Sequence, residues 1–223
     1  MIPLRDDNPR TLFPLVTLLL IIVNGLVFIY EVTLPSRFVE KFFYAFGAVP
    51  QVILRGENLH AVFTSMFVHG GIMHLAGNMW YLWLFGDNVE GLTGHWRFFF
   101  FYVFCGIVAA FVHAFLEPHS AVPMVGASGA ISGVLGAYAV RYPFARVHLL
   151  IPIFPVFWLW RVFRVPAILV LGGWFLIQIF NSMSPHSGNV AWFAHIGGFI
   201  AGGLFIYFFE TEEPPQETEE EDF

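Results

Sequence analysis

Long uncharged apolar runs alternate along the chain with short polar segments. About 20 helical residues rise roughly 30 Å, which matches the hydrocarbon core of a bilayer. The apolar runs cover residues 11–30, 59–86, 98–116, 126–140, 166–181 and 190–209. The pattern predicts an all-α polytopic membrane protein built as a bundle of six transmembrane helices.

The remaining segments are polar or mixed and set the expected domain limits. Residues 1–10 form a short polar lead to the membrane domain at 11–209. Residues 31–58 combine charges with several aromatic residues, which favours a loop at the membrane interface. Residues 210–223 are acidic, contain two prolines and predict a disordered tail.

The stretch 147–160 is apolar but is interrupted by Pro152 and Pro155. Proline breaks the helical hydrogen-bond ladder, and the stretch is short for a span. We therefore expect an interfacial segment. If it crossed the membrane instead, the last run would reverse its direction.

Composition supports a membrane location. The chain is 57% hydrophobic and only 12% charged, against about 25% charged residues in typical soluble domains. Half of the 16 acidic residues follow Phe209, so the net charge of −6 reflects the tail. No basic patch indicates a nucleic-acid partner, and the single cysteine excludes an intramolecular disulfide.

Basic residues predict the orientation. With six spans both termini lie on one side, and the positive-inside rule makes the more basic side cytoplasmic. The terminal side carries Arg5, Arg10, Arg97, Arg141, Arg146, Arg161 and Arg164, and the opposite side carries Arg37, Lys41 and Arg55. We expect a multi-pass protein of the bacterial plasma (inner) membrane with both termini in the cytoplasm.

Polar side chains within the apolar runs mark candidate chemistry, because such residues are costly in a bilayer. Ser128, between Gly126 and Gly129, fits either a small packing residue or an exposed nucleophile. Counted from the inner boundary at 1.5 Å per residue, Ser128 and His74 lie about 20 Å up and His195 about 22 Å up. Three runs thus place polar groups at one depth.

Small residues predict that two of these runs touch. Gly198 and Gly202 share a helix face with His195, and Gly129 and Gly133 repeat the spacing on the fourth run. Small residues at this spacing let helix backbones approach closely. Such contact brings His195 toward Ser128.

A serine hydroxyl needs a base to become a good nucleophile, and a neutral imidazole is suitable. No Asp or Glu is expected at the depth of Ser128, which favours a Ser-His dyad over a triad. His74 and Asn78 are four residues apart and share a helix face. Together with the Ser128 backbone N–H they are candidate donors to an oxyanion.

These residues resemble the rhomboid family of intramembrane serine proteases across residues 11–209. The matching motifs are Gly126-Ala127-Ser128-Gly129, Ala194-His195-Ile196-Gly197-Gly198, His69, His74-Leu75-Ala76-Gly77-Asn78 and Gly86-Asp87-Asn88-Val89-Glu90. The resemblance implies Ser128 as nucleophile, His195 as general base, and an oxyanion hole of His74, Asn78 and the Ser128 N–H. It implies no metal or cofactor, and substrates that are single-span or polytopic membrane proteins.

Two positions depart from the family pattern. Some members carry an aromatic residue four positions after the nucleophile, beneath the base, where this chain has Ser132. Support for the His195 ring must then come from elsewhere. Some members also carry a Trp-Arg pair in the first outer loop, whereas Trp96-Arg97 is predicted here in an inner loop.

Other functions compete with proteolysis. A rhomboid-like protein could bind membrane clients without cutting them, although the intact Ser128 and His195 argue against this. A haem-binding protein would use facing pairs among histidines such as His74, His113 and His195. A zinc protease is disfavoured because the chain has no His-Glu-x-x-His motif.

Overall fold

Helices dominate the computed structural model, which describes residues 2–153, 156–184 and 190–211. The helices are α1 (Leu15–Thr33), α2 (Ser36–Phe46), α3 (Pro50–Ile53), α4 (Ala61–Thr64), α5 (Ile72–Thr93), α6 (His95–Leu116), α7 (Ser128–Arg141), α8 (Ala167–Ser182) and α9 (Trp192–Phe209), with a 3-10 turn at Ser65–Phe67. The strands are β1 (Ile2–Asp6), β2 (Arg146–Ile153) and β3 (Val156–Pro166). Most of the predicted tail, and residues 185–189 before the last run, lie outside the described residues.

Among the described residues, three helices are long and apolar enough to cross a bilayer, namely α1, α6 and α9. The chain is therefore a multi-pass membrane protein. α8 is apolar but has only 16 residues, and α7 has 14. The full count of six spans stays a prediction for α5, α7 and α8.

The all-α class is wrong in one respect, because β1, β2 and β3 form an antiparallel sheet in that order. Within 147–160, expected as one interfacial segment, the described residues 147–153 belong to β2 and 156–160 to β3. Their valines, isoleucines and aromatic residues favour strands. Pro152 lies beyond the part of β2 that pairs with β1, so its missing N–H interrupts no bond between those strands.

Two segments outside the predicted spans also form regular structure. The polar lead contains β1, and its Pro3 carbonyl oxygen accepts a hydrogen bond of 2.6 Å from the Trp80 indole. The segment 31–58, predicted as an interfacial loop, contains α2 and α3. No residue of α2 is buried, so this helix lies on the outside of the bundle.

The end of the bundle nearest the sheet is held by buried acids. Glu90 accepts hydrogen bonds of 2.8 Å from the backbone N–H groups of Val16 and Thr17 at the start of α1. Asp87 pairs with Arg10 at 2.6 Å. These contacts join the N-terminus of α1 to the last turns of α5.

α7 lies in the core, and every residue from Ala130 to Ala139 is buried. It packs against α9 through glycines. A Cβ at Gly198 would overlap the Gly129 carbonyl oxygen, and one at Gly202 would overlap the Gly133 carbonyl oxygen. The two helices run in parallel and start at the same end of the bundle, which positions the candidate site.

Candidate active site

The candidate residues come from helix ends that meet opposite the sheet. Ser128 is the first residue of α7, and His195 and His74 lie in the first turns of α9 and α5. Asn78 follows His74 by one turn. Gly126 starts this arrangement with φ of +118°, a conformation that glycine adopts far more readily than other residues.

Ser128 and His195 are in hydrogen-bond contact, with 2.8 Å between Ser128 Oγ and His195 Nε2. The close approach of α7 and α9 at Gly129 and Gly198 makes this contact possible. A serine hydroxyl within this distance of an imidazole nitrogen is the geometry of an activated nucleophile.

A third side chain, which the sequence analysis did not identify, completes the contacts of the imidazole. Gln178 Oε1 on α8 lies 2.8 Å from His195 Nδ1, and Gln178 is 4% exposed. The available signal was an amide within the apolar run 166–181, where a polar side chain is costly and often functional. The partner of that amide could not be read from the sequence.

The His195 ring is also flanked by two indoles. The Trp174 ring lies 6.0 Å from it between centroids, and the Trp192 ring lies 5.9 Å away in an edge-to-face arrangement. Ser132, which replaces the family's aromatic residue, donates instead to the Ser128 carbonyl oxygen at 2.6 Å. Ring support therefore comes from α8 and from the start of α9.

The three candidate oxyanion donors surround the start of α7. A Cβ at Gly126 would lie 2.7 Å from His74 Nε2 and 3.6 Å from Asn78 Nδ2, so both side chains border this backbone. Asn78 Nδ2 donates to the His74 carbonyl oxygen at 3.0 Å, which leaves its second hydrogen available. As the first helical residue, Ser128 has an N–H without a partner inside α7.

One cavity of about 740 Å³ connects these groups. Its polar lining includes His74, Asn78, Ser128, Gln178 and His195. Within the described ranges, no three His, Cys, Asp or Glu side chains converge in a way that could hold a metal ion. The groups that converge on the cavity include a hydroxyl, imidazoles and two amides, a set suited to acyl transfer.

Comparison with known proteins places a family domain over most of the chain, including the candidate site. The family model described as "Rhomboid domain" matches residues 56–211. The chain is 25% identical to Rhomboid-like protein 11, chloroplastic, of Arabidopsis thaliana over 82% of this chain and 65% of that protein. It is 38% identical to Rhomboid protease GluP of Bacillus subtilis (strain 168) over 42% of this chain and 18% of that protein.

A third similar protein is Rhomboid protein 1, mitochondrial, of Saccharomyces cerevisiae, with 28% identity over 66% of this chain and 41% of that protein. The matches span less than two thirds of the length of each of these three relatives. Ser128 and His195 both lie within the segment that the family model matches.

Proposed function

Since the chain belongs to the rhomboid family, we propose that it is an intramembrane serine endopeptidase. It hydrolyses peptide bonds in or near transmembrane segments of other membrane proteins. The observation that carries the proposal is the 2.8 Å contact between Ser128 Oγ and His195 Nε2. The similarity to a relative named as a protease adds support.

In this proposal Ser128 is the nucleophile and His195 the general base. The Ser128 hydroxyl transfers its proton to His195 Nε2 while Oγ forms a bond to the carbonyl carbon of the scissile peptide. The resulting tetrahedral intermediate carries a negative oxygen. When the C–N bond breaks, the proton on His195 passes to the leaving nitrogen and an acyl-enzyme remains.

The oxyanion is stabilised by His74, the free Asn78 hydrogen and the Ser128 backbone N–H. The positions of His74 and Asn78 beside Gly126 support this role. A water molecule then attacks the ester carbonyl, with His195 again taking the proton. The bond between the acyl carbon and Ser128 Oγ breaks, and the proton passes from His195 Nε2 back to Oγ. Donors aimed at developing charge in a site of low polarity commonly supply a large part of the acceleration.

The substrates are single-span or polytopic membrane proteins that present an easily unwound segment with small residues at the cleavage point. A peptide bond inside a helix is covered by the neighbouring turns, so the segment must unwind before Ser128 can reach its carbonyl. The cavity of about 740 Å³ offers room for such a short extended segment.

The proposed location is the bacterial plasma membrane, with six spans and both termini cytoplasmic. The distribution of basic residues supports this orientation. A fluorescent protein fused at the C-terminus should be fluorescent if that end is cytoplasmic, whereas a periplasmic phosphatase fused there should be inactive. A non-fluorescent protein fusion together with an active phosphatase fusion would show that the C-terminus lies on the opposite side of the membrane.

The deciding experiment incubates the purified protein in detergent with a labile single-span substrate and identifies the products by mass spectrometry. Cleavage is expected with the wild-type protein and is expected to disappear in Ser128→Ala and in His195→Ala. Both variants should remain folded in thermal unfolding. Ser128→Ala removes a single hydroxyl and should keep the wild-type midpoint, whereas His195→Ala should lower it, because the ring contacts with Trp174 and Trp192 are lost. Undiminished cleavage by either variant would refute the proposal, and substrate capture without cleavage by the wild type would favour a client-binding protein.

A further inference from the structure

Gln178 makes two hydrogen bonds that together determine which nitrogen of His195 carries a hydrogen. A neutral imidazole has one N–H donor and one acceptor nitrogen, and its neighbours select the tautomer. A glutamine amide likewise has one acceptor atom and one donor atom. The orientation of the Gln178 amide therefore decides which ring nitrogen of His195 carries the hydrogen.

The amide orientation follows from its second contact. Gln178 Nε2 lies 3.0 Å from the backbone carbonyl oxygen of Trp174, one turn earlier on α8. A carbonyl oxygen only accepts hydrogen bonds, so the NH2 group must face it. Rotating the amide by half a turn would place two oxygens against each other in a buried position.

With the NH2 group facing Trp174, the Gln178 oxygen faces His195 Nδ1 at 2.8 Å. Two acceptors would repel at this distance, so Nδ1 carries the hydrogen. The lone pair of His195 then lies on Nε2, directed at the Ser128 hydroxyl. In the other tautomer Nε2 would carry a hydrogen and could not accept the Ser128 proton.

We propose that Gln178 is a positioning residue that holds His195 in its Nδ1–H tautomer, so that Nε2 is available to accept the proton of Ser128. This inference rests on the proposed function of Ser128 and His195. It extends the dyad expected from the sequence to a serine–histidine–glutamine triad in which the third group is uncharged.

An uncharged third group suits this position. Gln178 is buried on an apolar helix, where an unpaired carboxylate would be costly to desolvate. Its oxygen accepts from Nδ1–H both before and after Nε2 takes up a proton, so the contact persists through the reaction. The flanking rings of Trp174 and Trp192 restrict tilting of the imidazole, whereas Gln178 selects its tautomer.

Substitution at position 178 tests the role kinetically. Gln178→Leu removes the acceptor with little change in volume. We expect kcat to fall on the order of 10- to 100-fold, the range for loss of a group that orients a metal-bound histidine, with KM unchanged. In Gln178→Glu a protonated carboxyl keeps both contacts, because its O–H donates to the Trp174 carbonyl oxygen and its other oxygen accepts from Nδ1–H. This variant should restore most of the lost kcat.

The matched control is Asn181→Leu, which removes an amide from the same helix one turn later. Asn181 is not among the residues that line the cavity, so its kcat should remain that of the wild type. A general loosening of α8 would instead lower kcat in both leucine variants. A folded Gln178→Leu variant with the kcat of the wild-type protein would overturn the inference. The protease assignment would still stand if the wild-type protein cleaved the substrate and Ser128→Ala did not.

A spectroscopic measurement on the wild-type protein decides the tautomer independently of any cleavage assay. Nitrogen-15 NMR of histidine-labelled protein in detergent, with the His195 signals assigned from their loss in His195→Ala, distinguishes a hydrogen on Nδ1 from one on Nε2. We expect the hydrogen on Nδ1 in the wild type and in Gln178→Glu, and a mixture of tautomers in Gln178→Leu. A hydrogen on Nε2 in the neutral wild-type site would overturn the inference even if no substrate were cleaved.

Discussion

Gly126 lies against the ring of His74, so close that a Cβ at position 126 would be 2.7 Å from His74 Nε2. The same glycine has φ of +118°, two residues before the candidate nucleophile. The absence of a side chain thus serves the backbone turn and leaves space for a candidate oxyanion donor.

Gly126→Ala should therefore lower both kcat and stability. The methyl group would displace the His74 ring, and alanine at a positive φ destabilises by more than about 1 kcal/mol. Cleavage assays and thermal unfolding in detergent measure the two effects. Gly25→Ala on α1 is the control, since nothing lies within 4 Å of its new methyl group. Equal behaviour of the two variants would show that the contact with His74 is unimportant.

Asn78→Ala should lower kcat on the order of 10²- to 10³-fold, the range for loss of one oxyanion donor. KM should change little, because the donor acts on charge that develops only in the transition state. Steady-state kinetics with a single-span substrate measure both constants. Turnover equal to that of the wild type would remove Asn78 from the oxyanion hole.

Gly202→Ala should separate α9 from α7, because its Cβ would overlap the Gly133 carbonyl oxygen. Overpacking of this kind typically costs about 1–3 kcal/mol. We expect a lower unfolding temperature together with reduced labelling of Ser128 by a fluorophosphonate probe. Gly173→Ala on α8 meets no atom within 4 Å and should change neither. An unaltered Gly202→Ala variant would show that these helices tolerate wider spacing.

Glu90→Ala should destabilise the protein without acting at the site. The substitution leaves the backbone N–H groups of Val16 and Thr17 without their acceptor, and one unpaired buried donor costs about 1–3 kcal/mol. Thermal unfolding in detergent is the measurement. Glu57→Ala, which breaks the exposed ion pair with Arg55, should have little effect. A similar small shift in both variants would contradict the structural role of Glu90.

Docking of β1 should depend on pH through Asp6. Burial, together with the nearby negative charge of Asp87, raises the pKa of Asp6 to about 6, although the Tyr138 hydroxyl that donates to the carboxylate opposes the shift. A carboxyl whose pKa is higher when folded stabilises the folded state at low pH and loses that contribution as pH rises through about 6.

The backbone amides of β1 should therefore be less protected from exchange with solvent deuterium at pH 7.5 than at pH 5, after correction for the intrinsic exchange rate. Asp6→Asn should remove this difference. A pH dependence that persists in Asp6→Asn would contradict the assignment of the effect to Asp6.

The apolar runs were sufficient to locate most of the long helices, because burial in lipid imposes a composition that can be read residue by residue. They did not reveal the sheet. β1 has only five residues, and its pairing with β2 joins residues such as Ile2 and Leu150, which are far apart along the chain. Prolines in 147–160 argued against a helix without indicating a strand partner.

Some residues of the candidate site were likewise evident from the sequence, and one was not. Ser128, His195, His74 and Asn78 stand out along the chain, because polar side chains with glycine neighbours are conspicuous in apolar runs. Gln178 is equally polar, but its role depends on the rotation of α8 about its own axis. That rotation is set by side-chain packing among α7, α8 and α9, and it alone brings the amide oxygen to His195 Nδ1. Local composition therefore predicted which groups are available for chemistry, while the packing of helices distant in sequence selected the partner that orients the base.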